Sequence, residues 1–247
     1  IETALAQQPA LAQYLVDKNW QQALSELYLP HHRALLPLLQ HQPALWTHND
    51  WHASNLLWDE SANTTEVRSV LDFGLSDRTF AVFDLATAVE RNCIPWLELD
   101  AGGRAAADLD AVDALLAGYH SLRPLTQADL LTLKALLPLV HVDFALAEID
   151  YFQGIVGSRN NADIAYHHFL IGHGHWFGDS EGTRLLDHLH RQGAVAFGHH
   201  LVERIGREVR GEGVRKPQRR GELRAVEAGA QHPHLDIRAR ARRCLDP

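Results

Sequence analysis

Several features that define common classes of protein are missing from this chain of 247 residues. It has no methionine and only two cysteines, Cys93 and Cys244, which excludes a small protein held together by several disulfides. Its longest apolar runs fall far short of the ~18 residues that a helix needs to cross a bilayer, so we expect no membrane partner. The first residues show no charged and then apolar leader, and we therefore expect a cytoplasmic protein.

Basic residues are scarce over most of the length. Residues 1–202 hold 11 lysines and arginines against 24 acidic residues, a balance of −13. Because Lys and Arg make the contacts to nucleic-acid phosphates, this body does not suit nucleic-acid binding. Residues 203–247 have the opposite balance, +5, without any aromatic residue. We expect this arginine-rich tail to be partly disordered, and the alternatives are a tail that contacts nucleic acid and a chain end that is not native.

Apolar spacing divides the body into a helical start, a short β region and a long helical remainder. It predicts helices near 10–16 and 20–29, the second closed by Pro30, and a short apolar segment at 34–39. Short strands follow at 44–47, 56–58 and 67–73. The later helices are predicted at 82–90, 104–119, 127–152, 162–177 and 183–199, the third of them split by Pro138. The fold class is therefore mainly α with a small β-hairpin (α+β).

The polar loop between the first two strands carries the most specific pattern in the chain. Residues 48–55 have the form H-x-D-x-x-x-x-N, which arises by chance about 0.03 times in a chain of this composition. A D-F-G triplet follows at 72–74, after an apolar strand, and a D-L-A triplet at 84–86 near the start of a helix. A polar turn with incidental acids is the alternative, but it does not account for all three patterns together.

Phosphoryl transfer from a nucleotide requires these residue types. Mg²⁺ neutralises the phosphate oxygens and prefers carboxylate and amide oxygens, so Asn55 and Asp72 are the candidate metal ligands. Asp50 is the candidate catalytic residue, because its carboxylate can accept the hydroxyl proton or orient the acceptor. We expect His48 to pack and hydrogen-bond against the D-F-G turn, and Asp84 to cap its helix and brace the loop.

The segment 45–92 resembles the C-terminal lobe of the aminoglycoside phosphotransferase and choline kinase family, which has a protein-kinase-like fold. That family combines an H-x-D-x-x-x-x-N loop, an I-D-F/W strand and a D-L-A helix start. The resemblance implies that Asp50 is the catalytic base, that Asn55 and Asp72 hold Mg²⁺, and that ATP is the phosphate donor. It also implies that residues 1–202 form a kinase-like C-lobe, whose later helices build the acceptor pocket.

Two positions in the loop depart from related kinases. Protein kinases usually have a lysine two residues after the catalytic aspartate, whereas this chain has His52, which favours a small-molecule kinase. The position directly before Asp50 is often glycine in the resembled family and is Asn49 here. Both differences are compatible with a kinase that phosphorylates a small alcohol.

A larger departure lies upstream of the loop. A kinase of this type needs an N-terminal lobe with strands, a phosphate-covering loop and a lysine for the α- and β-phosphates. Residues 1–47 are predicted to be helical up to the strand at 44–47, contain no glycine and hold one lysine, Lys18. Residue 1 is isoleucine and methionine is absent. We therefore expect a fragment that lacks the nucleotide-binding N-lobe, with the missing lobe encoded upstream, and an isolated chain that is inactive.

An acidic residue interrupts a largely apolar helical face in the segment 138–152. Helical spacing puts Glu148 on one face with Phe144 and Tyr151. A carboxylate there can bind the ammonium group of an amino-alcohol or aminosugar, with Tyr151 or Trp96 adding a cation–π contact. Glu148 and Tyr151 are therefore the candidate substrate-binding residues, and a solvated acidic face is the alternative.

The 17 histidines include close pairs at 173/175, 188/190 and 199/200, but no H-E-x-x-H or C-x-x-C sequence accompanies them. The sequence therefore predicts core or surface histidines rather than a metal site at these positions. The predicted function is an ATP- and Mg²⁺-dependent small-molecule kinase. The alternatives are a pseudokinase-like binding module, against which the intact Asp50, Asn55 and Asp72 set argues, and a truncated product without function.

Overall fold

The computed structural model of this chain describes residues 2–60 and 65–194. Within them the chain is mostly helical, with two small antiparallel sheets. The arginine-rich tail at 203–247 and Cys244 lie outside the described residues, so the expectations for them stay predictions. Cys93 is buried and carries a free thiol.

Four helices precede the β region: α1 Glu2–Gln7, α2 Pro9–Leu15, α3 Trp20–Leu27 and α4 Leu29–Leu39. Pro9 lies in the first turn of α2, where its missing N–H costs no hydrogen bond. Pro30 occupies the same place in α4, so it begins a helix and does not close the preceding one, as the sequence had suggested. The apolar segment at 34–39 is the second half of α4.

The β region has four strands: β1 Ala44–Thr47, β2 Leu56–Glu60, β3 Thr65–Val70 and β4 Asp77–Phe80. They form two antiparallel pairs, β2 with β3 and β1 with β4. The predicted small β-hairpin is the β2–β3 pair, and the mainly helical class is as predicted; the second pair was not predicted, because β4 was missed. Its four residues include two charged ones and form no apolar alternation, so β4 is recognised only by its pairing with β1.

The helices that follow β4 are α5 Ala81–Cys93, α6 Trp96–Asp100, α7 Leu109–Leu122, α8 Gln127–Leu136, α9 Val142–Tyr151, α10 Arg159–Ile164, α11 His173–Gly178 and α12 Ser180–Ala194. Wider π-helical turns extend α9 over Phe152–Val156 and join α10 to α11 over Ala165–Gly172. Pro138 lies in the break between α8 and α9, which confirms the predicted split.

Two apolar clusters hold the helices together. The larger one includes Val89 of α5, Leu133 of α8 and Leu189 of α12, all fully buried. The second joins α2 to α9 around residues such as Leu11 and Ile149. The larger cluster fixes α5 against the helices behind it, and α5 in turn borders β1 and β4. Among the described residues, no helix has the length and apolar character needed to cross a membrane.

Candidate functional site

The H-x-D-x-x-x-x-N loop leaves β1 through a residue in the left-handed region. Asn49 has φ 64°, where glycine and asparagine are the residues with least strain. This explains why asparagine can stand where the resembled family often has glycine. The Asn49 amide nitrogen donates to the Leu75 carbonyl (2.9 Å), and its amide oxygen accepts from the Thr47 hydroxyl (2.8 Å). Asn49 therefore connects the end of β1 to the D-F-G turn.

Asp84 supports the backbone at the start of the loop. Its two oxygens accept hydrogen bonds from the backbone N–H groups of His48 (2.8 Å) and Asn49 (2.7 Å). Asp84 lies in the first turn of α5, but no side chain caps that helix. The expectation of a cap is therefore wrong, since both carboxylate oxygens are used by the loop.

His48 connects the loop to the D-F-G turn. The side chain is buried, and its Nδ1 accepts a hydrogen bond from the Asp50 backbone N–H (3.2 Å). The ring hydrogen is therefore on Nε2, which donates to the Leu71 carbonyl (2.8 Å). The imidazole also packs against the Phe73 ring, with 4.8 Å between the ring centres. These contacts fix the residues on both sides of Asp72.

Asp50 and Asn55 are joined by the side-chain amide of Asn55. The amide nitrogen donates to Asp50 Oδ2 (2.9 Å) and to the Asp50 backbone carbonyl (3.0 Å). Because the nitrogen is committed to Asp50, the amide oxygen is the atom of Asn55 that can bind a cation. Asp50 thus provides a carboxylate, and Asn55 provides a neutral oxygen ligand beside it.

Asp72 lies beside this pair because the backbone N–H of Leu71 donates to the Asn55 carbonyl (2.8 Å). Asp72 has φ 56°, also in the left-handed region, and its exposed carboxylate accepts a hydrogen bond from the Gly74 N–H (3.3 Å). Asp72 therefore directly follows a residue that is bonded to Asn55, where β2 begins and β3 ends. An anionic and a neutral oxygen at one place are the donor set that Mg²⁺ prefers.

Two residues of α5 contact the loop and were not identified from the sequence. Arg91 forms an ion pair with Asp50, with 3.6 Å between Nη2 and Oδ1. The Asn92 side chain accepts from the Ala53 N–H (2.8 Å) and donates to the Trp51 carbonyl (2.9 Å). Arg91 follows Asp84 by two helical turns and so shares its face of α5, and this spacing was the available signal.

Glu148 and Tyr151 lie on α9, half-buried, one and two turns after Phe144. The Arg91 guanidinium lies over the Phe144 ring, 5.2 Å from its centre, and Arg91 also contacts Asp50. The face of α9 that carries Glu148 therefore extends from the neighbourhood of Asp50. Trp96, the other aromatic residue considered for a cation–π contact, stacks on His173 at 3.7 Å.

We expect Asp84→Asn to destabilise the loop. The substitution replaces one of the two carboxylate oxygens with an NH₂ group, which cannot accept a hydrogen bond from a backbone N–H, so one of the two bonds is lost. Losing one hydrogen bond to a charged acceptor costs about 1.5–3 kcal/mol. Urea unfolding measures this change. The matched control is Asp187→Asn, which makes the same substitution at an exposed position of α12 and is expected to alter stability by less than about 0.5 kcal/mol. Equal effects of the two substitutions would contradict a supporting role for Asp84.

Comparison with known proteins identifies one family. A model described as "Phosphotransferase enzyme family" matches residues 2–125, which is half of the chain and reaches from α1 to just beyond α7. The match includes the loop, the D-F-G turn and the start of α5, and it extends well beyond the segment 45–92 that carries the resemblance in sequence. Searches of curated proteins and of solved structures found no match. The chain belongs to the phosphotransferase enzyme family.

Proposed function

We propose that residues 1–202 form the C-terminal lobe of an ATP- and Mg²⁺-dependent kinase that phosphorylates a hydroxyl group of a small substrate. The observation that carries the proposal is the junction of Asp50, Asn55 and Asp72. Asn55 is hydrogen-bonded to Asp50 through its side chain and to the residue before Asp72 through its backbone. A phosphoryl-transfer site needs this combination of an acceptor-orienting carboxylate and neighbouring oxygen ligands.

Asn55 and Asp72 would hold the Mg²⁺ ion. The Asn55 amide nitrogen is already bound, which leaves its oxygen as the ligand, and Asp72 has an exposed carboxylate. When bound, the ion would neutralise the charge on the phosphate oxygens of ATP.

Asp50 would orient the acceptor hydroxyl and take its proton on a carboxylate oxygen. Contacts on both oxygens fix the carboxylate, since Oδ2 accepts from Asn55 and Oδ1 lies beside Arg91. A fixed base needs no further ordering when the acceptor binds, and this lowers the entropic cost of reaching the attack geometry.

Exposed apolar side chains of the β region support a second, nucleotide-binding lobe. Large hydrophobic side chains are exposed there, among which Trp46 is 73% and Phe73 61% exposed; the others are Leu57, Trp58 and Leu71. Exposed apolar surface commonly marks an interface when its side chains adjoin. We propose that the N-lobe covers these side chains and supplies the phosphate-covering loop and the lysine, so residues 1–247 alone would bind Mg·ATP weakly.

The test compares two proteins: residues 1–247, and the same chain expressed with the sequence encoded upstream of it. Both are incubated with Mg·ATP and a panel of amino-alcohols, aminosugars and neutral alcohols while ADP formation is measured. We expect acceptor-dependent ADP formation by the longer protein only. Tight nucleotide binding without turnover would instead identify a pseudokinase-like module, and neither binding nor turnover would identify an inactive product.

We further propose that the substrate carries an amine that Glu148 binds. Glu148→Gln then removes a charge-assisted hydrogen bond worth about 1.5–3 kcal/mol, so the KM of a cationic acceptor should rise about 10- to 100-fold, while the KM of ATP stays the same. Steady-state kinetics of the longer protein measure both values. The control is Asp143→Asn, at an exposed position on another face of α9. An unchanged acceptor KM in Glu148→Gln would reject the proposal that Glu148 binds an amine, but it would leave the proposed kinase activity untouched.

A further inference from the structure

Three buried side chains from different parts of the chain meet close to the candidate site. Glu90 belongs to α5, His141 directly precedes α9, and His173 begins α11. They are only 3%, 5% and 5% exposed. One carboxylate oxygen of Glu90 and one ring nitrogen of each histidine lie within 4.8 Å of one another. We call these three residues the Glu-His-His cluster.

The imidazole nitrogens of the Glu-His-His cluster have few hydrogen-bond partners. Both ring nitrogens of His173 and Nδ1 of His141 are buried and bond to no atom of the residues that the structure describes. His173 Nδ1 lies 4.0 Å from Glu90 Oε1, which is too far for a hydrogen bond. A buried polar atom left unpaired costs about 1–3 kcal/mol. Each residue of the cluster offers one ligand atom, so unpaired nitrogens on both rings beside a carboxylate indicate that a partner binds between the three side chains.

Tyr28 determines which nitrogen of His141 carries the hydrogen. The Tyr28 hydroxyl donates to the Leu170 carbonyl, so its oxygen accepts from His141 Nε2–H, with 2.9 Å between oxygen and nitrogen. The hydrogen is then on Nε2, and Nδ1 has a free lone pair. Metal-binding histidines commonly have their second nitrogen fixed by such an acceptor. His141 is therefore held in the form in which it can act as a ligand.

The electrostatics of the Glu-His-His cluster suit a cation. Burial lowers the pKa of the His173 imidazole to about 3 and the pKa of His141 well below its usual range, so both rings are neutral, as metal ligands must be. Burial raises the pKa of the Glu90 carboxyl to about 7, although Arg91 acts in the opposite direction. The Trp96 indole N–H also lowers the Glu90 pKa without reaching hydrogen-bond geometry. A bound divalent ion would compensate this buried carboxylate.

We propose that Glu90, His141 and His173 bind one zinc ion through one oxygen and two nitrogen atoms. Two imidazoles and a carboxylate are a ligand set of four-coordinate zinc with one open position. Imidazole ligands favour such an ion over Mg²⁺, which distinguishes this site from Asn55 and Asp72. Zinc–nitrogen bonds of about 2.0–2.1 Å require ligand atoms about 3.3 Å apart, so the cluster closes by up to about 1.5 Å on binding.

The position of the site indicates a supporting role for the ion. It connects α5, α9 and α11, and the residue after Glu90 is Arg91, which pairs with Asp50. Zinc bound here fixes the end of α5 from which Arg91 and Asn92 reach the loop. It does not itself contact the acceptor, so the proposal is independent of the identity of the substrate.

The test uses the full chain, freed of metal with a chelator and then titrated with ZnCl₂. We expect one zinc per chain by elemental analysis after dialysis, a higher Tm, and, with CoCl₂ in place of zinc, the visible absorption bands of tetrahedral cobalt. His173→Gln should weaken zinc binding at least about 100-fold. His175→Gln, at an exposed position of the same helix, is the control and should bind zinc as the unchanged chain does.

Two results would overturn the proposal. One is an unchanged chain that retains no zinc and shows no Tm shift, as expected if the cluster holds only water. The other is a folded His173→Gln variant that retains its zinc, which would place the ion at surface histidines. If His173→Gln does not fold, which circular dichroism shows, the cobalt spectrum of the unchanged chain decides: tetrahedral bands support the site and their absence rejects it.

Discussion

Asp50→Asn is expected to reduce phosphate transfer by about 10²–10⁴-fold, the usual contribution of a general base, with Mg·ATP affinity unchanged. Asparagine has nearly the same shape and can still accept the hydrogen bond that Asn55 donates to Asp50 Oδ2 at 2.9 Å. It cannot take a proton from the acceptor hydroxyl, and it loses the ion pair with Arg91. The loss should therefore be in kcat, because the substitution removes an interaction that is made in the transition state.

The measurement is ADP formation by the chain expressed together with the proposed N-lobe, which we call the longer protein, and calorimetry of its Mg·ATP binding. Asp59→Asn is the matched control, since Asp59 is an exposed carboxylate on β2, the strand that follows the loop. We expect Asp59→Asn to retain full activity. A kcat within a few-fold of the unchanged protein in Asp50→Asn would show that Asp50 is not the base and that another group accepts the proton.

One helix, α5, positions the candidate site from several sides. Asp84 in its first turn binds the backbone at the start of the loop, and Asn92 near its end binds the backbone two residues before Asn55. Arg91 contacts Asp50, which lies in the loop between the residues bound by Asp84 and the residue bound by Asn92. Because α5 is itself held by the larger apolar cluster, the geometry of the loop depends on packing far from the reacting groups.

Features that depend on neighbouring residues could be predicted from the sequence. β1 has the predicted limits, 44–47, and Pro138 separates α8 from α9 because proline disrupts a helix through its own backbone. The membership in a phosphotransferase family was also predicted, since H-x-D-x-x-x-x-N, D-F-G and D-L-A are short patterns. The roles of Asp50, Asn55 and Asp72 and the limits of the lobe stay predictions.

Features that depend on contacts between distant residues could not be predicted. β4 is a strand because it pairs with β1, at least thirty residues earlier, and not because of its own composition. His141 and Tyr28 are separated by 113 residues, and His173 is distant from both along the chain. The sequence therefore grouped His173 with His175, whereas the structure groups it with Glu90 and His141. Helical spacing can relate residues within one helix, but it cannot relate three separate segments.

The second large effect is expected at Asp72. An asparagine substitution there removes the charge of the proposed Mg²⁺ ligand but keeps a residue that tolerates the left-handed backbone. Asp72 has φ 56°, and asparagine tolerates the left-handed region about as well as aspartate does. Asp72→Asn should therefore keep its stability to within about 0.5 kcal/mol. It replaces the anionic ligand by a neutral amide, so the Mg²⁺ concentration for half-maximal rate should rise at least about tenfold, a loss of about 1.4 kcal/mol in ion binding.

Asp72→Ala provides the comparison, because alanine lacks both the carboxylate and the tolerance for a positive φ. Its left-handed conformation costs roughly 1–2 kcal/mol, so this variant should lose stability as well as activity. Initial rates of the longer protein against Mg²⁺ concentration at fixed ATP, and urea unfolding of residues 1–247, distinguish the two effects. If Asp72→Asn leaves the Mg²⁺ dependence unchanged, Asp72 is not a ligand, and the left-handed backbone that it provides at the start of the D-F-G turn is its whole contribution. A raised Mg²⁺ requirement without loss of stability assigns the carboxylate to the ion.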